Sequence, residues 1–373
     1  MENLGGIGLS EEQADLLAVA ENFAREKSPI ETVRDLLDDE RGFDDAIWEE
    51  IAALGWLGVA IPEDFGGAGL TLAEAAPIAE QLGRNLYGGP FSSTTIAAQA
   101  ILAGGAGAQK AEALPKIAEG APATVALMEA SGCWDLTRPE LEATATSGGF
   151  SLTGKKRFVQ DAAAAHWIVL SANNDGKLEL FLLDKDDIPN GALRRETIVD
   201  ETKRSYELSL DNVQVPAARR MDPDRAVATL KTIELTAALL STAEMVGGTS
   251  AVIDYTIDYL KTRKQFGKLI GAYQALQHPT VDAYVEYEQA RSHLYSAAYS
   301  FNEQGTGEVA TRMAKAKAEK AYAYAADRSI QFHGGFGFTY DCDAQLHRRR
   351  ALFNASQYGD AAYQRKKLAE LLF

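Results

Sequence analysis

Apolar residues recur at helical spacing in the first part of the chain. From Ser10 to about residue 118 they return every three or four positions, as in Ala14, Leu17 and Ala18. Ser10 with the acidic pair after it is a typical helix N-cap followed by an acidic first turn. This pattern predicts a helical N-terminal region.

The period changes to two between about residues 122 and 217. Short apolar or alternating runs stand at 124–127, 167–170, 178–183 and 206–210, and turn-forming glycine and asparagine residues separate them. From Asp222 the helical spacing returns in long pieces and continues to Phe373.

This order predicts an α+β multi-domain fold. We expect an N-terminal helical domain at 1–121, a central β-barrel or sandwich at 122–220, and a C-terminal helical bundle at 221–373. A chain of 373 residues suits two or three domains that share an extensive core.

Charge and cysteine content narrow the class of protein. A formal charge of -16 argues against a general nucleic-acid binder, which needs an excess of basic residues. The two cysteines, Cys133 and Cys342, lie far apart in the sequence, which fits a protein of the reducing cytoplasm. The histidines lack the paired spacing that is typical of a metal site. The N-terminus lacks the features of a signal peptide, and we expect no membrane span, so the sequence predicts a soluble, cytoplasmic protein.

Candidate binding residues concentrate in the last third of the chain. Arg263 offers a planar fork of donors that suits a pyrophosphate. Amide side chains that both donate and accept hydrogen bonds suit ribose hydroxyls and adenine edges, and glycines let backbone amides approach phosphate oxygens. The amides and glycines concerned are Gln265, Gln274, Gln331, Gly334 and Gly335.

The runs Arg263-Lys264-Gln265-Phe266-Gly267 and Gln331-Phe332-His333-Gly334-Gly335 resemble the flavin-binding half of the acyl-CoA dehydrogenase family. The resemblance extends over essentially the entire chain. It implies an FAD cofactor, an acyl-CoA substrate and an oligomer in which these groups embrace the FAD of a neighbouring subunit, with Phe266 against the flavin or adenine portion. It also implies a further contact from Ser131.

The same resemblance places the family's usual catalytic glutamate at Tyr358, where a phenol of pKa about 10 is a poor base. Some family members carry the catalytic base instead on the long helix that precedes the Arg263 motif, and that position falls on Ala237. Three nearby carboxylates, Glu234, Glu244 and Asp360, are candidate bases. Each also has a structural interpretation: an early-helix charge, an ion-pair partner and a helix cap, respectively.

The sequence keeps the residues that would contact the FAD of a neighbouring subunit, but it lacks the family's usual catalytic glutamate. This combination favours one hypothesis. The chain resembles the β-like, non-catalytic subunit of bacterial α2β2 acyl-CoA dehydrogenases, which occur in pathways for bulky side chains such as steroids and for dicarboxylates, and its partner would be an α-like subunit. Two alternatives remain open: a self-sufficient homotetramer with a relocated carboxylate base, and a flavin-free scaffold subunit.

Overall fold

Helices form the first third of the chain. The computed structural model describes residues 11–373, so the predicted Ser10 cap lies outside the described residues. The helices are α1 (Glu11–Lys27), α2 (Ile30–Asp35), α3 (Asp45–Ala53), α4 (Leu72–Arg84), α5 (Phe91–Gly104) and α6 (Gly107–Ala118).

Local sequence explains where α4 begins. The Thr71 hydroxyl accepts a hydrogen bond from the Ala73 amide at 3.1 Å, and the Glu74 carboxylate accepts one from the Thr71 amide at 2.8 Å. This reciprocal capping satisfies amides that the first helical turn leaves unpaired.

The middle of the chain forms one mixed sheet. Its strands are β1 (Ala123–Ala126), β2 (Glu142–Thr146), β3 (Gly149–Gln160), β4 (Trp167–Asn174), β5 (Lys177–Asp184), β6 (Leu193–Arg195) and β7 (Ser205–Pro216). They are ordered β1-β4-β2-β3-β7-β6, with β5 paired to β4. The pair β1 and β4 is parallel, whereas β3 and β7 are antiparallel.

Alternation along the strands divides the apolar residues between two cores. Trp167 and Val169 face the core that the helices share, whereas Ile168 and Leu170 belong to a second core inside the curled sheet. Successive side chains of a strand point to opposite faces, so this division follows from the period of two in the sequence.

The last third is again helical. It contains α7 (Ala226–Thr262), α8 (Gln274–Ser300), α9 (Thr306–Phe332), α10 (Asp343–Ser356) and α11 (Ala361–Leu372), with a small hairpin, β8 (Lys264–Gln265) and β9 (Lys268–Leu269), after α7. The predicted fold class, helical then β then helical, is confirmed. Continuous helical spacing did not predict the hairpin, which forms where Phe266 and Gly267 provide a two-residue turn.

Helix α7 crosses α4 with the two backbones in very close contact. A Cβ atom on Gly83 would lie 2.3 Å from the Glu244 Cα, and one on Gly247 would lie 1.8 Å from the Glu80 carbonyl oxygen. Only glycines allow the two backbones to approach this closely. The N-terminal and C-terminal helices therefore share one core.

A buried guanidinium connects the three regions. Arg350 of α10 donates to the Asp200 carboxylate, to the Thr202 hydroxyl at 2.5 Å and to the Leu86 carbonyl at 3.2 Å. Asp200 and Thr202 lie between β6 and β7, and Leu86 lies between α4 and α5. Arg350 and Asp200 are fully buried, so each depends on the other for compensation of its charge.

One helical stretch among the described residues, Pro223–Thr262, is long and apolar enough to cross a membrane by length and composition alone. This stretch does not contradict the expectation of no membrane span, because the core helix of a protein without such a span passes the same test. Its most apolar part is 61% buried inside the protein, which is the behaviour of a core helix.

Candidate functional site

A surface groove of about 840 Å³ brings together residues from two distant parts of the sequence. The hairpin after α7 forms one wall, and the turn after α9 forms the other. Five of the predicted cofactor-binding residues line this groove: Arg263, Gln265, Phe266, Gly334 and Gly335.

The hairpin presents an aromatic side chain at its tip. Phe266 and Gly267 have φ values of 53° and 81°, as a two-residue turn of the hairpin type requires. The Phe266 side chain is 92% exposed. An exposed aromatic residue beside an apolar groove is typical of a surface that another molecule covers.

Arg263 carries an uncompensated charge at the edge of the groove. It is exposed, and its guanidinium forms no ion pair or hydrogen bond with any residue in the described part of the chain. A free planar fork of donors is available for an anionic group such as a pyrophosphate.

The glycine pair is not explained by packing within the chain. A Cβ atom on Gly334 or Gly335 would meet nothing within 4 Å, and only Gly334 needs a left-handed φ, of 63°. Gly335 therefore has no conformational or steric reason to be glycine in the isolated chain. A ligand that approaches the backbone closely would supply one.

His333 forms part of the floor of the groove. Its ring stacks on Tyr259 at 4.1 Å between centroids, and its Nδ1 donates to the Ser329 carbonyl at 2.8 Å. Burial lowers the His333 pKa, so the ring is neutral and Nε2 is an acceptor. Nε2 has no hydrogen-bond partner within residues 11–373.

The other three predicted cofactor-binding residues do not line the groove. Gln274 is the exposed first residue of α8, next to the groove residue Ala275, and Gln331 is exposed beside Phe332 at the end of α9. Ser131 lies in the loop between β1 and β2, next to Gly132, which lines a separate cavity.

That second cavity has a volume of about 280 Å³ and surrounds Tyr358. It lies between the end of β1, the loop after it, the end of β3 and the connection between α10 and α11. Its lining is mostly apolar and contains no carboxylate: Val125, Leu127, Met128, Gly132, Trp134, Leu136, Phe158, Ser356, Gln357 and Tyr358. The sequence did not reveal Trp134 or Phe158 as lining residues.

Two free donors are available at this cavity. Burial raises the pKa of Tyr358, and the Asp161 carboxylate raises it further, so the phenol keeps its proton. Neither the Tyr358 hydroxyl nor the Trp134 indole N–H has a hydrogen-bond partner among the described residues. In contrast, Ser356 donates to the Phe353 carbonyl at 2.8 Å and Gln357 accepts from Gln160 at 3.0 Å.

Two aromatic residues that line this cavity have strained backbone conformations. Phe158 and Tyr358 both have positive φ values, 55° and 52°. Bulky side chains rarely adopt this region, at a cost of about 1–3 kcal/mol each, and such strain persists where the surroundings enforce it. The Trp134 and Tyr358 rings lie 5.9 Å apart between centroids.

The loop that carries Trp134 is fixed by a buried ion pair. The Glu129 carboxylate accepts hydrogen bonds from the Glu140 amide at 2.7 Å and from the Lys156 ammonium at 2.5 Å. Burial lowers the Lys156 pKa, and the Glu129 carboxylate opposes that effect. The pairing positions the cavity wall relative to the sheet.

None of the three predicted bases lines the cavity. Glu244 is buried, accepts from the Ser92 hydroxyl at 2.6 Å and lies 3.5 Å from the Lys203 ammonium. Burial raises the Glu244 pKa, but the Lys203 and Arg350 cations outweigh burial, so the pKa lies below its ordinary value. A carboxylate so stabilised is a weakened base.

Glu234 and Asp360 also have structural partners. The Arg312 guanidinium donates to the Glu234 carboxylate at 2.8 Å. The Asp360 side chain caps α11 by accepting from the Tyr363 amide at 2.8 Å. These contacts match the structural interpretations of both residues, and their catalytic roles stay predictions.

A further buried carboxyl that the sequence did not indicate lies near Tyr358. Asp161 accepts from the Ser93 hydroxyl at 2.6 Å, and burial raises its pKa. It does not line the cavity. Within the described residues, no group of three histidine, cysteine or acidic side chains could hold a metal ion.

The two sites differ in their fit to FAD. The groove offers a free cation and an open glycine backbone, which suit the phosphates of a dinucleotide. The cavity offers two free side-chain donors and no cation, whereas the polar edge of an isoalloxazine presents several nitrogen and oxygen atoms. The groove therefore fits part of an FAD, whereas the side chains of the cavity supply fewer partners than the flavin ring presents.

Comparisons with known proteins identify the family of the chain. Family models described as the N-terminal and C-terminal domains of acyl-CoA dehydrogenase match residues 10–121 and 231–373. Acyl-CoA dehydrogenase IpdE2 of Mycobacterium tuberculosis is 30% identical over 334 residues, which cover 89% of this chain and 88% of the relative. The chain belongs to the acyl-CoA dehydrogenase family, whose members are oxidoreductases.

Two solved structures are similar over nearly their whole length. A variant of the Tcur3481-Tcur3483 steroid ACAD has a TM-score of 0.86 and 30% identity, covering 97% of this chain and 98% of its own. The ChsE4-ChsE5 complex from Mycobacterium tuberculosis has a TM-score of 0.88 and 25% identity, covering 99% of both chains.

Proposed function

We propose that this chain is the non-catalytic, β-like subunit of an FAD-dependent acyl-CoA dehydrogenase. Its groove contributes contacts to the pyrophosphate and adenosine of an FAD that an α-like partner subunit binds. The bound flavin would supply the hydride acceptor for α,β-desaturation of an acyl-CoA thioester. The absence of any carboxylate from the lining of the Tyr358 cavity is the observation that carries the proposal.

The contrast between the two sites supports this assignment. Arg263, Phe266 and Gly335 are exposed and have no partner within residues 11–373 that explains them, as expected of groups that serve another subunit. The cavity where the family's base would stand holds a neutral phenol instead. A self-sufficient enzyme with a relocated base receives no support, because Glu234, Glu244 and Asp360 all lie outside the cavity lining.

The names of similar proteins support a proposal for the partner and the substrate class. Both similar structures carry paired names, and one is called a steroid ACAD. We therefore propose an α2β2 assembly, located in the cytoplasm, that acts on a bulky acyl-CoA such as a steroid derivative.

The test compares the chain alone with the complex formed by co-expression with an α-like subunit. The chain alone should lack stoichiometric flavin absorbance and acyl-CoA turnover, and the complex should show both. Full flavin occupancy with turnover by the lone chain would reject the proposal. A colourless complex would favour a flavin-free scaffold.

Substitution of Arg263 makes the test specific. In the complex, Arg263→Ala should weaken FAD binding about 10- to 100-fold, because a hydrogen bond to a charged group contributes about 1.5–3 kcal/mol. Arg225→Ala is the matched control, since Arg225 is also exposed but lies at the other end of α7. Equal FAD affinities in the two variants would contradict the role of the groove.

A further inference from the structure

The Tyr358 cavity has the properties of a small-molecule site, which goes beyond the proposed role of the groove. Its lining is predominantly hydrophobic, and a few polar groups converge on it, as in most ligand pockets. A volume of about 280 Å³ corresponds to roughly nine water molecules at about 30 Å³ each. A group of one or two fused rings is therefore the appropriate size.

Three aromatic residues of the lining favour a flat occupant. Trp134, Phe158 and Tyr358 come from three separate segments and meet at the cavity. Aromatic side chains prefer offset or edge contacts with other planar rings and gain about 0.5–1.5 kcal/mol from each such pair. An aliphatic chain would fill the same space without this gain.

The polar groups of the lining select the hydrogen-bonding character of the occupant. The free side-chain groups are donors, the Tyr358 hydroxyl and the Trp134 N–H, while Ser356 and Gln357 are engaged within the chain. No charged side chain lines the cavity, so an ionic group would lose its hydration without compensation. The occupant should be neutral and carry a hydrogen-bond acceptor.

We propose that the Tyr358 cavity binds a neutral, planar one- or two-ring compound whose acceptor atom receives a hydrogen bond from the Tyr358 hydroxyl. Tyr358 is the chosen donor because it packs against the central core, whereas Trp134 lies on the loop between β1 and β2. The raised pKa of Tyr358 keeps the phenol protonated, so the donor persists into alkaline solution.

Quinoline and naphthalene are matched probes for this site. Both contain two fused aromatic rings, and only quinoline has an acceptor nitrogen. Titration calorimetry of the full chain should show quinoline binding about 3- to 10-fold more tightly, since a neutral hydrogen bond contributes about 0.5–1.5 kcal/mol net.

Two variants identify the donor. Tyr358→Phe should abolish the preference for quinoline while keeping the affinity for naphthalene, and Trp134→Phe should keep the preference. Thermal unfolding of both variants checks that the fold is retained. A loss of the preference in Trp134→Phe alone would contradict the assignment to Tyr358.

Other outcomes would overturn the proposal as a whole. These are equal affinities of the two probes for the unmodified chain, no binding of either probe up to its solubility limit, and stoichiometric binding of lumiflavin in place of quinoline. None of these measurements involves the groove or the partner subunit. Failure of this inference and failure of the proposed function are therefore distinguishable.

Discussion

Replacement of Gly335 by alanine should separate cofactor binding from folding. A Cβ atom at this position meets nothing within 4 Å among the residues that the structure describes, and the residue does not need a left-handed φ. We therefore expect the free energy of unfolding of Gly335→Ala to be unchanged or raised by up to about 1 kcal/mol, because alanine restricts the unfolded chain.

The same methyl group should interfere with a bound phosphate. If it prevents one hydrogen bond from a backbone amide to a phosphate oxygen, FAD binding loses about 1.5–3 kcal/mol. The dissociation constant of FAD in the complex should then rise about 10- to 100-fold. Reconstitution of the flavin-depleted complex, followed by flavin fluorescence, measures this change.

Gly148 provides the matched control. It is exposed, a Cβ atom there also meets nothing within 4 Å, and it lies in the turn between β2 and β3, away from the groove. Gly148→Ala should have the same small effect on stability as Gly335→Ala and should leave FAD affinity unchanged. The reasoning would be refuted if Gly335→Ala left FAD affinity at the level of Gly148→Ala.

Two further predictions concern buried charges. Arg350→Met should lower the free energy of unfolding by about 3–5 kcal/mol in urea denaturation, because it leaves the buried Asp200 carboxylate without its cation and removes one of the two cations beside Glu244; a loss below about 1 kcal/mol would contradict this role. Burial lowers the pKa of Lys315 from 10.5 to about 8, so the unfolded chain binds more protons between these values and stability should rise with pH across that window. Lys315→Met should remove up to about 3 kcal/mol of this rise, and parallel pH profiles of the two proteins would count against it.

Local patterns in the sequence were sufficient for the order of the elements. The change from helical spacing to a period of two near residue 122 matches the start of β1 at Ala123, and the return of helical spacing after Asp222 matches α7. The hairpin between α7 and α8 escaped prediction because strands of two residues are too short to show a period.

The two sites differed in how far the sequence could predict them. Arg263 and Gly335 were identified because their flanking residues resemble a family motif, and they face each other across the groove although more than 70 positions separate them. Trp134 and Phe158 carry no such motif, since only the fold brings them to Tyr358. The cations that lower the Glu244 pKa, Lys203 and Arg350, likewise come from distant segments.

The glycine crossing of α4 and α7 has a consequence for how such chains can diversify. Gly83 and Gly247 let the first and last thirds share a single interior, so neither third has an apolar surface that is complete by itself. Recombination that exchanged one of these thirds with a paralogue would have to preserve both glycines and the facing backbone. We expect this protein to be inherited as one unit. Sequence changes between paralogues should then concentrate in the hairpin tip, in the loop between β1 and β2, and in other surface turns.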